Sequence, residues 1–377
     1  MSHLAEPLPE NPRTLIRSII QRIATGPELS KDISREEARR GMEAVLHGEV
    51  DPVQAAVFLI ALRMKRETDE ENKGILDAVR EATVRAVADV DDLVDLADPY
   101  DGYNRTVPPS PFLPAVLAAL GVPVVSSGME TVGPKFGTTH RKVLRAAGLP
   151  VCLSSREAAR RIEAPDIGWA YVDQEQCCPL LSGLSDFRAM LVKRPAVTTV
   201  EVMGGAVAAR GRTHLLTGYV HKPYPRIYAM LARHAGYDSA LLVRGVEGGV
   251  VPSLRQEGKL FRYWDFAEET AVNFHPRSLG IEQTLRAVPI PEGLPASPPI
   301  AAGVTLAHDM DAAAEVAAEM GLAALGGQSG ATRDALVCTG AAVLWHLGKV
   351  NDLKVGAEAI RGVLDDGSAL RRFNAAR

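Results

Sequence analysis

Residues 121–139 read GVPVVSSGMETVGPKFGTT. The opening run is apolar, valine-rich and of strand length, which predicts a buried strand, and the serines and glycine that end it predict a loop at the strand's carboxyl end. That loop carries Ser127, Gly128, Lys135, Thr138 and Thr139, a mixture of flexible backbone, hydroxyls and one cation that suits an anion. An alternative reading of the same residues is a glycine-proline loop followed by Thr138 or Thr139 as the N-cap of a helix over HRKVLRAAG (140–148).

The same pattern recurs on both sides. GWAYV (168–172), AVTTVEVMGG (196–205) and SALLVRG (239–245) are strand-sized, and SREAARRIEA (155–164) and PRIYAMLARHAG (225–236) between them have helical spacing. Strands alternating with helices predict a mostly parallel sheet covered on both faces. A proline-rich connection, PIPEGLPASPPIAAG (289–303), precedes two closing helices at 309–325 and 331–348.

Before residue 90 the pattern is helical throughout. Leu15, Ile16, Ile19, Ile20 and Ile23 recur at helical spacing. Ser34 with Glu37 and Thr68 with Glu71 read as helix starts, Asp51-Pro52 as an N-cap and first-turn proline, and Gly48 as a stop. The fold expected is therefore α/β: a small helical domain over 1–90, joined by a helical segment at about 174–196, and a larger α/β domain over 91–173 and 197–377.

A chain of 377 residues with 46% hydrophobic and 23% charged residues has ample material for such a core. The net charge of -4 argues against a surface made wholly for nucleic acid but leaves room for a local basic strip. The four cysteines, Cys152, Cys177, Cys178 and Cys338, have neither metal-ligand nor disulfide spacing, and adjacent Cys177 and Cys178 read as buried thiols. No basic-then-apolar leader and no bilayer-length apolar run is visible, so a cytoplasmic protein without a membrane partner is expected.

LHGEVDPVQAAVFLIALRMKRETDEENKG (46–74), HLLTGYVHKPYPRIYAMLARHAGYDSALLVRGVEGG (214–249) and the closing stretches RDALVCTGAAVLWHLGK and GAEAIRGVLDDGSAL resemble, in order and spacing, the anthranilate phosphoribosyltransferase family, also called glycosyltransferase family 3, with its nucleoside-phosphorylase-like fold. The resemblance implies a helical domain hinged to an α/β domain, a substrate cleft between them, and a homodimer joined through the helical domains. It also implies phosphoribosyl pyrophosphate and magnesium bound at the strands' carboxyl ends, with ribose transferred to an aromatic amine.

Several motifs depart from the family's pattern. Where the family has a G-T-G-G-D turn, this chain has DPYDGYNR (98–105), with Gly102 its one glycine; Arg105 would supply a charged donor, or the stretch is a plain surface turn. N-x-S-T becomes PPSP (108–111), keeping Ser110, expected to cap the following helix whose N-terminus is a weak anion site. The K-H-G-N-R-S loop becomes SSGME, with Glu130 in place of an arginine, although Lys135, Thr138 and Thr139 could rebuild an anion cradle. The adjacent Asp-Glu that holds magnesium in the family aligns with Val250 and Val251, so metal binding there is not expected and no cofactor is assigned. Glu247 remains, while the acids Asp91, Asp92, Asp95 and Asp98 read as a solvated face.

FRAMLVKRP (187–195) keeps Arg188 and Arg194 at the family's substrate-side spacing, where arginine meets an aromatic carboxylate. From 188 to 226 there are seven Lys or Arg against one acid, Glu201; Arg210, Arg212, Lys222 and Arg226 would suit a nucleic-acid backbone with Tyr219, Tyr224 and Tyr228 nearby for stacking, or the charges are a scattered solvated surface and the tyrosines serve helix and core packing. Three functions stand at this point: a divergent glycosyltransferase binding a small anionic phosphoribosyl or sugar-phosphate ligand, a non-catalytic nucleic-acid or polyanion binder on the same fold, and an authentic anthranilate phosphoribosyltransferase.

Overall fold

The computed structural model describes residues 8–26, 28–301 and 303–377; the opening residues 1–7, which the sequence reading includes in the helical unit, lie outside the described residues. Four helices form the N-terminal bundle: α1 Pro12–Ile23, α2 Arg35–Leu46, α3 Pro52–Lys65 and α4 Asp69–Glu81. Their starts are those the sequence marks. Ser34 and Glu37, and Thr68 and Glu71, each form a complete capping box, and the Asp51 carboxylate accepts from the Val53 amide. Gly48 follows α2 at φ 67°, a conformation that lets the chain leave the helix without side-chain strain. Leu15, Ile16, Ile19 and Ile23 bury one face of α1.

Glu71 is also the bundle's internal clasp. Fully buried, it accepts from the Ile33 amide at 2.9 Å and pairs with Lys65 at 2.8 Å, so one carboxylate ties the α1–α2 connection to the ends of α3 and α4.

Nine strands follow: β1 Ala86–Ala88, β2 Asp92–Ala97, β3 Val124–Gly128, β4 Trp169–Asp173, β5 Val207–Ala209, β6 Arg212–Tyr219, β7 Ser239–Arg244, β8 Gly258–Trp264 and β9 Thr270–Phe274. Seven make the main sheet in the order β4-β3-β2-β6-β7-β8-β9, and β1 pairs with β5 in a separate two-stranded ribbon. β4, β3, β2, β6 and β7 are mutually parallel; β8 and β9 are antiparallel. One sheet face packs on a core continuous with the helical bundle, the other on the C-terminal helices.

Three expectations are corrected. The segment 196–205 is not a strand: Val197–Val200 is an α-turn continued by a 3-10 turn at Glu201–Met203. Pro195 starts it by accepting from the Thr198 amide, and Arg63 of α3 takes the Pro195 carbonyl and the Thr199 hydroxyl, contacts that outweigh the β-branched propensity of the run. The strand in that part of the sheet is instead β6, RTHLLTGY. The acids at 91–98 are not a solvated face either. They lie on and beside β2, an interior strand, so Asp91 is exposed while Asp95 and Asp98 are buried. Finally, Ser110 opens a 3-10 turn without capping it; its hydroxyl is used elsewhere. Among the described residues the cysteines are free, with Cys177, Cys178 and Cys338 buried, and no helix is long and apolar enough to cross a membrane.

Candidate functional site: a cleft at the strand ends

The parallel strands end together at Ala97, Gly128, Asp173, Tyr219 and Arg244, the edge where open α/β sheets place ligands. A cleft of about 220 Å³ opens there between bundle and sheet. Arg63 reaches in from α3, Tyr100 and Asp101 follow β2, His221 follows β6, and Tyr224 and Tyr228 stand on the helix Tyr224–His234. The rings of Tyr224 and Tyr228 lie 5.3 Å apart and His221 lies 6.4 Å from Tyr224, giving an aromatic wall suited to a flat or cyclic ligand.

Both arginines of the cleft are positioned by the protein. Arg63 donates to the Tyr224 hydroxyl at 3.1 Å and to the Thr199 hydroxyl at 2.8 Å, bridging bundle and sheet. Arg194 donates twice to one Asp101 oxygen, at 2.6 and 2.9 Å, and keeps half its side chain exposed. Arg188, the other substrate-side candidate, is not in the cleft. It is buried in a fork with Glu201 at 2.6 and 2.7 Å, and its guanidinium is taken by that internal carboxylate.

The loops expected to cradle an anion meet each other. Gly102 has φ 71°, and a Cβ there would lie 2.6 Å from the Thr138 carbonyl oxygen; one on Gly137 would lie 2.4 Å from the Tyr103 nitrogen. Tyr103 and Thr138 exchange backbone hydrogen bonds across this contact, and the Gly137 amide donates to the Asp101 carbonyl at 2.8 Å. The glycines serve backbone-to-backbone packing.

The donors on this loop pair already have an anion. Glu247, after β7, accepts from the Asn104 amide (3.3 Å), the Arg105 amide (3.0 Å), the Thr106 hydroxyl (2.9 Å) and the Lys135 ammonium (2.9 Å). Burial pushes the Glu247 carboxyl up, but Lys135 and these donors outweigh it and hold it below the ordinary range. Lys135 also sits over the Tyr103 ring at 5.2 Å. Glu247 itself is left-handed at φ 53°, ψ 15°, a conformation costly for a residue with a Cβ.

The remaining loop candidates have structural partners. Ser127 shares a hydrogen bond with the Tyr100 hydroxyl, and Gly128 is the buried end of β3. Thr139 caps the helix His140–Ala146, as the second reading of the loop expected, while buried Thr138 contacts Met310. Glu130 is surrounded by Arg141, Lys142 and Arg145. Arg105 exposes its guanidinium.

Sequence reasoning missed a buried hub behind this loop. One Asp98 oxygen accepts from the Tyr103 hydroxyl (2.7 Å) and the Ser110 hydroxyl (2.8 Å) and lies 2.9 Å from His140; the other accepts from the Val250 amide at 2.9 Å. Burial raises the Asp98 carboxyl, yet His140 and the hydroxyls bring it below its usual value. Ser, His and Asp thus meet, but all are enclosed, so the cluster ties loops together and presents no nucleophile. Val250 and Val251, fixed by this hub, are buried and offer no side-chain oxygen.

The basic strip does not form one open surface. Arg210 pairs with Asp89 and Asp91, Arg212 lies 3.7 Å from Asp265, and Arg226 forks onto Asp69. Lys222 is exposed.

A helical bundle packed beside a mostly parallel, doubly covered sheet, with a cleft at the strands' carboxyl ends, defines a two-part α/β protein. Residues 17–83 match the family description "Glycosyl transferase family, helical bundle domain". The chain is 28% identical over 357 residues to the anthranilate phosphoribosyltransferase of Rhodopseudomonas palustris, covering 95% of this chain and 96% of that one. It is 28% identical over 362 residues to that of Acidithiobacillus ferrooxidans, covering 96% and 97%. The anthranilate phosphoribosyltransferase structure from Thermus thermophilus superposes with a TM-score of 0.70 at 20% identity, over 96% of this chain and 98% of that one. The Saccharomyces cerevisiae enzyme in complex with PRPP and Mg superposes with a TM-score of 0.71 at 13% identity, over 96% of each chain. Over nearly its full length the chain is similar to anthranilate phosphoribosyltransferases, and its helical bundle matches the bundle model of the glycosyl transferase family.

Proposed function

We propose that this protein is a divergent glycosyltransferase-family member that binds a small, ring-containing anionic ligand of the phosphoribosyl or sugar-phosphate type in the interdomain cleft, without the magnesium-pyrophosphate chemistry of its relatives. The observation that carries the reading is Glu247. Its carboxylate takes the amides, hydroxyl and lysine of the loop pair through which the family resemblance brings pyrophosphate. A second anion there would displace Glu247 or sit beside it against like charge. Where the resemblance would bring the metal, Val250 and Val251 do not fit a hard cation, which needs oxygen ligands.

What remains open to a ligand is the aromatic wall of Tyr224, Tyr228 and His221 with Arg63 and Arg194 beside it. The reaction class carried by the resemblance is pentosyl or phosphoribosyl transfer, with Arg194 the substrate-side arginine that still faces the cleft. Thermal-shift titrations with ribose 5-phosphate and with phosphoribosyl pyrophosphate, each with magnesium or with a chelator, test this reading. We expect protection that ignores magnesium and is lost in Tyr224→Ala. Protection by phosphoribosyl pyrophosphate that requires magnesium would overturn it. No protection by either compound, together with salt-sensitive binding of nucleic acid, would transfer the assignment to the polyanion-binding alternative.

A further inference from the structure

We propose that Arg244 and Arg286 form an oxyanion site, for inorganic phosphate or a phosphate monoester, on the far side of the 245–248 turn from the cleft. A separate pocket of about 110 Å³ lies there, well above the roughly 10–15 Å³ of the same measure that one water needs. Arg244 ends β7, and Arg286 is held at the rim because its carbonyl accepts from the Leu254 amide at 2.9 Å. Unlike Lys135, Arg188, Arg194, Arg210, Arg212 and Arg226, these two arginines have no carboxylate partner among the described residues. A pair of guanidinium groups facing one polar pocket is the donor set that a tetrahedral oxyanion binds best.

The other polar groups are consistent with this. The Ser253 oxygen accepts from the Arg255 amide at 3.4 Å and the Gln256 amide at 3.2 Å, leaving its hydroxyl proton to donate, and the exposed Gln256 amide lies on the same wall. Glu257 also lines the pocket and opposes an anion, so the net charge of the three ionised groups is +1.

The pocket is a neighbour of the cleft. Val220 lines both, and the two ends of one turn wall them separately: Gly245 and Val246 on the arginine side, Glu247 and Gly248 on the cleft side. With Glu247 taking the donors of the loop pair, Arg244 and Arg286 are cations beside the same turn that no carboxylate pairs with among the described residues. The part of the inference that concerns a cleft ligand rests on the function proposed above; the oxyanion site itself does not.

Calorimetric titration of the full chain with inorganic phosphate, at an ionic strength held constant with chloride, tests the site. Saturable binding is expected, weakened about tenfold or more by Arg244→Gln and by Arg286→Gln, the loss of one charge-assisted contact each. Arg286→Lys should retain part of it, and Glu257→Gln should tighten it. A parallel titration with ribose 5-phosphate separates the sources. Weakening by Tyr224→Ala as well as by the arginine variants assigns the site to the phosphate of the cleft ligand; weakening by the arginine variants alone assigns it to free phosphate. Binding in Arg244→Gln and Arg286→Gln equal to wild type, or no saturation above the chloride control, would overturn the proposal.

Discussion

At the scale of single residues, two buried carboxylates behave oppositely, and each gives a test. Glu247 has its carboxyl lowered, so it contributes stability above its ordinary value of 4.5 that is lost as pH falls through the depressed folded value. Glu247→Gln keeps the shape and removes the charge beside Lys135. It should cost about 1–3 kcal/mol at pH 7 by chemical denaturation, with the gap to wild type closing as pH falls through the depressed folded value. Asp95 is the reverse. Burial in β2 pushes its carboxyl from 3.8 up to about 6, against the Tyr237 hydroxyl at 2.6 Å and the charges of Arg80 and Arg85. Its contribution is therefore full below about pH 4 and lost as pH rises through 6. Asp95→Asn should be more stable than wild type at pH 7 by at most about 3 kcal/mol, with no difference at pH 4. A wild type more stable than Asp95→Asn at pH 7 would show that the ionised form is the one the fold prefers. The sequence marked Lys135 as the loop's cation but could not show what holds it, because Glu247 meets Asn104 across 143 residues of chain and no local pattern reports such a contact. Arg63 escaped notice for the same reason: its cleft partners Thr199 and Tyr224 are 136 and 161 residues away.

At the scale of elements, what was legible was what is decided locally. The bundle's helix starts follow from side chains within three residues of the first turn, so the capping boxes at Ser34 and Thr68 could be read directly. Ser34→Ala should accordingly lower stability by about 1 kcal/mol. The segment 196–205 was misread because its β-branched residues favour a strand while its conformation is set by Pro195 and by Arg63 from another unit. β2 was obscured by its own acids, two of which are buried against partners that only the fold supplies. The bundle also has an outward apolar face. Val53 and Met64 of α3 are 71% and 76% exposed, and Val57, Ile60 and Met64 line a second, mostly apolar pocket with Ile23 of α1. We expect this face to join two copies of the chain, as the family resemblance implies. Light scattering should give twice the chain mass for wild type and the chain mass itself for Val57→Glu/Met64→Glu. A monomeric wild type at micromolar concentration would remove the expectation.

At the scale of the whole molecule, the arrangement of a helical bundle and a mostly parallel sheet is that of the anthranilate phosphoribosyltransferase structures on which the chain superposes. The basic strip from 188 to 226 illustrates the limit of charge counting: the excess of cations in sequence is met in space by Asp69, Asp89, Asp91, Asp101, Asp265 and Glu201. A nucleic-acid backbone would compete with those partners, so we expect affinity weaker than about 10⁻⁴ M at physiological salt, the non-specific floor. Tighter binding that Arg210→Ala/Arg212→Ala/Lys222→Ala abolishes would restore the strip as an interface. At this scale stands the proposal that Glu247 takes the anion-binding donors of the loop pair and that Val250 and Val251 offer no oxygen to a metal. Its most direct test is to follow anthranilate fluorescence with purified protein, phosphoribosyl pyrophosphate and magnesium. Fluorescence should stay constant beyond the no-protein control, whereas magnesium-dependent loss at a turnover of about 1–10 per second, an ordinary enzymatic rate, would contradict the account.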